Sequence, residues 1–204
     1  MTTGADSIRV MHPLFQAGEG GSTPTSALQL HFGPIAMRDA VRLNRLWHSR
    51  LPSIDLRLGS RVCYGAECEG VTYAIAIWTH PVCNQLPQDV WLELRRFAIA
   101  YDAPKNTASR MLGWMARDLA RRLPRLELLI SYQDRDSHKG TIYRAAGWFP
   151  VAVGGGGGWN ASRTTRKAVR ISSKIRWEKE VGLARHGDSA NGEARPSPAG
   201  LPPV

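Results

Sequence analysis

Residues 90–112 have the sequence VWLELRRFAIAYDAPKNTASRML and combine a strand, a short loop and the start of a helix. Apolar side chains alternate through Leu92 and Leu94, and the alternation resumes out of phase at Phe97. This break near Arg95 predicts a β-bulge, in which one extra residue shifts the side of the strand that faces the core. The sequence therefore predicts an irregular strand that leads through a loop into the N-terminus of a helix.

The start of that helix is a candidate anion-binding site. Unpaired backbone N–H groups and about half a positive charge gather at a helix N-terminus, so phosphates and carboxylates bind there. The turn adds cationic and polar side chains to these donors, namely Lys105, Asn106, Thr107, Ser109 and Arg110. It is not a P-loop, because the glycines and the Gly-Lys-Ser/Thr ending are absent. The alternative is a well-capped helix whose Lys and Arg are solvated.

A second polar cluster, residues 131–143, follows the buried strand predicted at 126–132. Open α/β sheets bind ligands at this end of their strands. Asp134 with His138 could form an acid–base pair or supply two metal ligands. The alternative is a polar loop whose Asp caps the next helix. His48 closes the first predicted helix, where a lone His more often compensates the helix dipole.

Strands and helices alternate along the rest of the chain. Strands are predicted at 28–35, 61–69, 71–80, 90–101, 148–153 and 168–176, and helices at 37–48, 107–123 and 141–146. Gly147 is suited to a left-handed cap after the last helix. Residues 1–27 are predicted as a mobile arm, 28–178 as one domain, and 179–204 as a disordered basic and Pro-rich tail. The pattern predicts a single α/β domain with a mixed central sheet and flanking helices.

The composition is that of an ordinary globular chain. Among 204 residues, 43% are hydrophobic and 22% are charged, which excludes collagen, a coiled coil and a wholly disordered protein. No run approaches the roughly 20 apolar residues of a membrane span, and no signal peptide is visible. The three cysteines match no zinc spacing and suit a reducing compartment. We therefore expect a cytoplasmic protein without a membrane partner.

The charge points to a polyanionic partner. Lys and Arg total 27 against 17 acidic residues, for a net charge of +10. Basic residues that neutralise phosphates release counterions and so favour nucleic-acid binding. An acid-free segment near the C-terminus contains Arg163, Arg166, Lys167, Arg170, Lys174 and Arg176. These residues predict a surface for double-stranded DNA, and the alternative is a solvated basic face.

Four blocks of the sequence, which together span about residues 40–178, resemble the Mom family of phage DNA-modification proteins. They are Trp47-His48-Ser49 to Pro52, Glu93-Leu94-Arg95-Arg96-Phe97, Ala103 through Arg110, and Ser131-Tyr132-Gln133-Asp134 through His138 to Tyr143. The element order, followed by IYRAAGWF at 142–149, also resembles the GNAT superfamily of N-acetyltransferases.

The resemblance implies a GNAT-like fold and the conversion of adenine in DNA to a carbamoylmethylated form, which protects phage DNA from restriction. In the superfamily the turn at residues 105–110 receives the coenzyme A pyrophosphate, so acetyl-CoA or a related acyl donor is implied. A Tyr at the position of Tyr143 often protonates the leaving thiolate. Ser131, Asp134 and His48 are the further candidate catalytic residues. Iron is a second candidate cofactor, with His48, Asp134 and His138 as candidate ligands.

The chain also departs from the family patterns. Residues 104–109 replace the usual Gln/Arg-x-x-Gly-x-Gly/Ala turn, and Gln133 and Ser137 stand where Mom members often have Ala and Gly. These departures leave the donor and the substrate open. One alternative function is that of a GNAT-family N-acyltransferase, which uses acetyl-CoA on a small-molecule or protein amine. Another is a non-catalytic nucleic-acid-binding module.

Overall fold

A computed structural model describes most of the predicted domain, in five segments. They are residues 23–48, 51–54, 60–135, 138–154 and 174–181. The strands in these segments are β1 (His31–Pro34), β2 (Ser60–Cys68), β3 (Val71–Thr79), β4 (Trp91–Ile99), β5 (Leu128–Asp134), β6 (Phe149–Gly154) and β7 (Lys174–Glu180). They form one sheet in the order β1-β2-β3-β4-β5-β7-β6. The pair β4–β5 is parallel and the other pairs are antiparallel, which confirms the predicted mixed sheet.

Helices cover both faces of the sheet. They are α1 (Met37–Trp47), α2 (Thr107–Arg122), α3 (Thr141–Ala145) and a 3-10 helix at Ala27–Gln29. The core beneath α1 includes Leu43, Ile75 and Ile77, and this side of the sheet is called the α1 face below. On the opposite α2 face, Met111 of α2 packs in one cluster with Trp78. The apolar side of α1 thus packs on one face of the sheet, and the apolar side of α2 packs on the other. No helix among the described residues is long and apolar enough to cross a membrane.

The bulge predicted in β4 is confirmed. Ile77 of β3 lies opposite Arg96, and the next residue, Trp78, lies opposite Leu94, so Arg95 is the extra residue. The parallel pairing of β4 with β5 runs only from Trp91 to Leu94, although both strands continue beyond that point. β4 and β5 therefore part just after Leu94, and the opening between them is called the splay below.

Several predicted strand boundaries are wrong by two or more residues: the strand predicted at 126–132 spans Leu128–Asp134, and the one predicted at 90–101 ends at Ile99. The strand predicted from residue 28 begins only at His31, because residues 27–29 form a 3-10 helix. A capping box stabilises that helix: the Ser26 side chain accepts the Leu28 N–H, and Gln29 accepts the Ser26 N–H. The last strand, predicted at 168–176, is described only from Lys174 and continues to Glu180. The described strand pairs with β5 along its whole length. The apolar pattern of one segment does not reveal pairing with a distant strand.

The predicted ends of the chain are described only in part. Residues 23–27 lie in the predicted arm, and there Pro24 and Ala27 are buried. The rest of the predicted arm, and all of the predicted tail beyond residue 181, lie outside the described residues. The cysteines are free thiols, and Cys63 is the buried one, whereas Cys68 and Cys83 are half-buried.

Candidate active site

Two hydroxyl groups meet where β4 and β5 part. Ser131 is the last residue of β5 that pairs with β4, opposite Leu94. The short helix α3 brings Tyr143 to it, so that Ser131 Oγ and the Tyr143 hydroxyl are 2.8 Å apart in a buried hydrogen bond. The structure thus brings together two of the four predicted catalytic residues at the apex of the splay.

Aromatic side chains fix the position of Tyr143. Its ring is stacked on Trp177 of β7, with centroids 5.2 Å apart and an angle of 12° between the planes. Trp148 approaches it edge-on at 5.7 Å. Burial raises the pKa of Tyr143, and the hydrogen bond from Ser131 only partly opposes this effect. The phenol therefore stays protonated at neutral pH and is a proton donor.

Gln133 connects this aromatic cluster to the loop before α3. Its Oε1 accepts the Trp177 Nε1–H at 2.7 Å, and its Nε2 donates to the His138 carbonyl. Gly140 follows at φ 73°, where a Cβ would lie 2.4 Å from the Trp177 ring and 2.6 Å from Gln133 Oε1. Gln133, which departs from the family pattern, therefore positions both Trp177 and the loop that leads into α3. Sequence reasoning gave no role to Trp177 or Gly140.

The N-terminus of α2 lacks a side-chain cap. Asn106 occupies the capping position at φ 68° and makes no side-chain capping hydrogen bond. The Thr107 hydroxyl is turned away to the Pro104 carbonyl at 2.7 Å, and the Ser109 hydroxyl donates to Asn106 O at 3.3 Å. Lys105 and Asn106 are exposed. Within the part of the chain that the structure describes, the first-turn N–H groups have no capping side chain, an arrangement that suits an anionic ligand.

Arg110, also predicted to bind the cofactor, contacts other parts of the fold. Its guanidinium donates to the Ala27 carbonyl and lies 5.3 Å from the centre of the Phe32 ring. These contacts connect the first turn of α2 to the 3-10 helix and to β1. Arg110 thus holds the start of the described domain against α2.

His48 lies over the α1 face rather than beside Tyr143. Its Nδ1 accepts the Leu51 N–H at 3.2 Å, so Nε2 carries the proton in the neutral ring. Burial lowers the pKa of His48, and the charges of Arg96 and His138 lower it further. His48 is therefore neutral near pH 7 and presents an N–H donor, not a base, at Nε2.

The predicted metal centre is not supported. Asp134 ends β5, and because side chains alternate along a strand it lies on the α1 face, opposite to Ser131. The part of the chain that the structure describes contains no group of three His, Cys, Asp or Glu residues that could hold a metal ion. His48, Asp134 and His138 thus form no metal site there, and the iron expectation has no support in this geometry.

Two of the six predicted DNA-binding residues are described. Lys174 lies opposite Asp134, and Arg176 lies opposite Tyr132, both on β7 next to the splay. The guanidinium of Arg176 pairs with Glu178 at 2.8 Å. The other four lie outside the described residues, namely Arg163, Arg166, Lys167 and Arg170.

The sequence also matches the model of a known protein family. The profile of the Mom protein family matches residues 29–172, which include both strands of the splay, α2 and Tyr143. No curated protein is significantly similar in sequence to the chain.

Solved structures show the same fold at low sequence identity. An acetyltransferase of the GNAT family from Streptococcus pneumoniae matches with a TM-score of 0.53 and 14% identity, over 75% of this chain and 99% of the other. The ribosomal-protein-S18-alanine N-acetyltransferase of Escherichia coli matches at 0.55 and 13%, over 79% and 99%. A Bacillus subtilis acetyltransferase in complex with CoA matches at 0.54 and 13%, over 74% and 97%. These matches confirm the predicted GNAT-like fold.

Proposed function

The chain belongs to the Mom protein family, and on that basis we propose that it is a GNAT-type group transferase that carbamoylmethylates adenine N6 in DNA and protects that DNA from restriction. The observation that carries this proposal is the buried hydroxyl pair of Ser131 and Tyr143 at the apex of the splay. A protonated phenol at that position can complete a transfer reaction, which a purely DNA-binding module does not need.

The donor is an acyl-CoA or a related thioester. The uncapped N-terminus of α2 fits the pyrophosphate, with Lys105 and Asn106 exposed beside it. A similarly folded acetyltransferase was solved with CoA, which supports this choice. An acyl thioester bound there would supply an acyl carbon and a thiolate leaving group. Attack by adenine N6 would break the C–S bond and give an N6-acyl adenine, and a further step would be needed to reach the carbamoylmethyl form.

Tyr143 delivers the proton that the leaving group needs. The raised pKa keeps the phenol protonated, and burial against Trp148 and Trp177 excludes water from it. When the proton leaves, the Ser131 hydroxyl can donate to the phenolate across the same 2.8 Å contact. Ser131 therefore stabilises the ionised phenol during transfer, and Tyr143 acts as general acid.

Nucleoside mass spectrometry tests the proposal against its alternatives. DNA from cells that express the protein should contain a modified adenosine, which purified protein also forms with the donor. Unmodified DNA together with acyl-CoA turnover on a small-molecule or protein amine would instead identify an N-acyltransferase. Salt-sensitive DNA binding with neither activity would identify a non-catalytic module.

Removing Lys105 should weaken donor binding without affecting DNA binding. Charge-assisted hydrogen bonds to phosphate contribute about 1.5–3 kcal/mol, so Lys105→Ala should raise the Kd for CoA about tenfold or more. Calorimetric titration with CoA measures this change, and Lys139→Ala removes an exposed lysine from the loop before α3 as the control. Equal CoA affinity in both variants would contradict the assignment.

Neutralising the basic segment should weaken DNA binding whatever the DNA sequence. Each phosphate contact contributes about 0.9 to the slope of log Kobs against log salt. Replacing Arg163, Arg166, Lys167 and Arg170 together by Gln should therefore flatten that slope by a few units. Filter binding over a salt series measures it, with Arg38→Gln and Arg117→Gln on the exposed sides of α1 and α2 as the control. An unchanged slope would mean that the segment is a solvated face.

A further inference from the structure

Three strands place polar side chains on the α1 face around the splay. Residues directly opposite each other on neighbouring strands have side chains on the same face. Arg96 lies opposite Ile77, whose side chain is in the core beneath α1. Tyr132 and Arg176 lie opposite each other, and Tyr132 follows Ser131, whose side chain is on the other face. Arg96 and Tyr132 therefore border the same side of the opening, and Arg176 lies on that face one strand further on, on β7.

Arg96 is a cation whose hydrogen bonds go to backbone oxygens. It donates to the Arg95 carbonyl and to the Ser53 carbonyl, each at 2.7 Å. Its Nε is buried and has no hydrogen-bond partner among the described residues. Burial lowers the pKa of Arg96, but a guanidinium remains charged in proteins. A half-buried guanidinium that is bonded to neutral backbone carbonyls keeps a positive charge, which a ligand anion can balance.

Two acidic groups on this face, those of Glu93 and Glu178, already have hydrogen-bond or ion-pair partners. Glu93 accepts from Arg95 at 3.0 Å and from the Val82 N–H at 2.9 Å. Glu178 pairs with Arg176. The other charges on this face of β5 and β7 are those of Asp134 and Lys174, which lie opposite each other, and of Glu180 at the end of β7. Arg96 contributes a guanidinium on the β4 side of the splay that is hydrogen-bonded to backbone carbonyls rather than to these acidic groups.

Tyr132 is the exposed aromatic residue of an otherwise buried strand. It is 39% exposed, whereas Ser131 and Gln133 on either side are buried. Arg176 lies across the strand pair from it, held by Glu178. A ring open to solvent beside a guanidinium group, here that of Arg176, is the combination that single nucleotides bind, because the base stacks on the ring and the phosphate binds a cation.

We propose that Tyr132 stacks on a nucleobase of the DNA acceptor and that Arg96 binds a neighbouring phosphate. The inference rests on the proposed function, and it names the face from which the acceptor enters the splay. A base extruded from a duplex needs such an aromatic platform, since stacking on protein replaces the stacking lost in DNA. Tyr132 and Arg96 are thus binding residues on the face opposite to the proton donor Tyr143.

Two oligonucleotides of equal length, one of deoxyadenosines and one with an abasic site at every second position, separate stacking from phosphate binding. The native protein should bind the deoxyadenosine strand more tightly. Tyr132→Ala should abolish that preference, with a loss of about tenfold or more for the deoxyadenosine strand, whereas Tyr132→Phe should retain it. Arg96→Gln should weaken both strands equally and flatten the salt slope by about one. Arg117→Gln, which removes an exposed charge from α2, is the control.

The outcomes distinguish this inference from the proposed function. If the native protein binds no DNA and acylates a small amine, both fail. If the native protein modifies DNA while Tyr132→Ala and Arg96→Gln bind both strands as it does, only this inference is overturned. Circular dichroism and thermal unfolding check that each variant is folded, and Tyr132→Phe keeps the ring if Tyr132→Ala does not fold. Loss of preference in Tyr132→Phe as well would overturn the stacking role.

Discussion

The Tyr143→Phe protein is expected to fold and to bind DNA and the acyl donor, but to transfer the group at least about 100-fold more slowly. General acid catalysis contributes about 10²- to 10⁴-fold to a rate. The substitution removes only the hydroxyl, so the ring can still stack on Trp177. Losing the hydrogen bond with Ser131 should lower the free energy of unfolding by about 1 kcal/mol. Single-turnover formation of modified adenosine, followed by mass spectrometry, measures the effect.

The pH profile separates a lost proton donor from a lost structural contact. Burial raises the pKa of Tyr143, so the native phenol stays protonated up to a pH above the ordinary tyrosine value of about 10. Native activity should fall only in that alkaline range, and the residual activity of Tyr143→Phe should lack this fall. Tyr101→Phe is the control, because Tyr101 is 95% exposed. A Tyr143→Phe protein that modifies DNA at the native rate would show that Tyr143 has only a packing role.

The fold could be predicted from the sequence where its determinants are local. The phase change at Arg95 is visible within one strand, and it correctly predicted the bulge at which β4 and β5 part. The glycine predicted to end α3 is also present, with Gly147 at φ 70°. The start of β1 was missed because a capping box at Ser26 stabilises a 3-10 helix, although the apolar pattern favours a strand.

The candidate site could be predicted only in part, because its arrangement depends on pairing between distant strands. Ser131 and Tyr143 are separated by one loop and one helical turn, and the sequence placed them together. Trp177 reaches Gln133 only through the register of β7 against β5. Arg110 illustrates the same limit, since its partner Ala27 is far away in the sequence. The sequence shows a cationic side chain in a candidate anion-binding turn. It does not show that the carbonyl of a residue far away in the chain accepts a hydrogen bond from that side chain.

Among the glycines of the described domain, Gly140 is expected to be the one whose replacement lowers the free energy of unfolding most. At φ 73° any other L-residue is strained by about 1–2 kcal/mol. An added Cβ would also overlap the Trp177 ring at 2.4 Å, and that ring cannot retreat easily because it is fully buried and stacked on Tyr143. Overpacking of this kind costs about 1–3 kcal/mol. Gly140→Ala should therefore lower the free energy of unfolding by roughly 3 kcal/mol and displace Tyr143 from Ser131, so transfer should fall as well.

Ala substitutions at two further glycines, Gly147 and Gly113, complete a series whose free energies of unfolding can be compared by urea denaturation. Gly147 has almost the same φ of 70°, but an added Cβ would meet only the flexible end of Lys179 at 3.2 Å, so Gly147→Ala should cost about 1 kcal/mol. Gly113 lies within α2 with its nearest neighbour at 3.7 Å, so Gly113→Ala should stabilise the protein by about 0.5–1 kcal/mol. The series isolates the contact with Trp177, because Gly140 and Gly147 share the strain and differ in the neighbour. Equal losses at Gly140 and Gly147 would mean that Trp177 moves aside freely, and the rigid aromatic support proposed for Tyr143 would then be wrong.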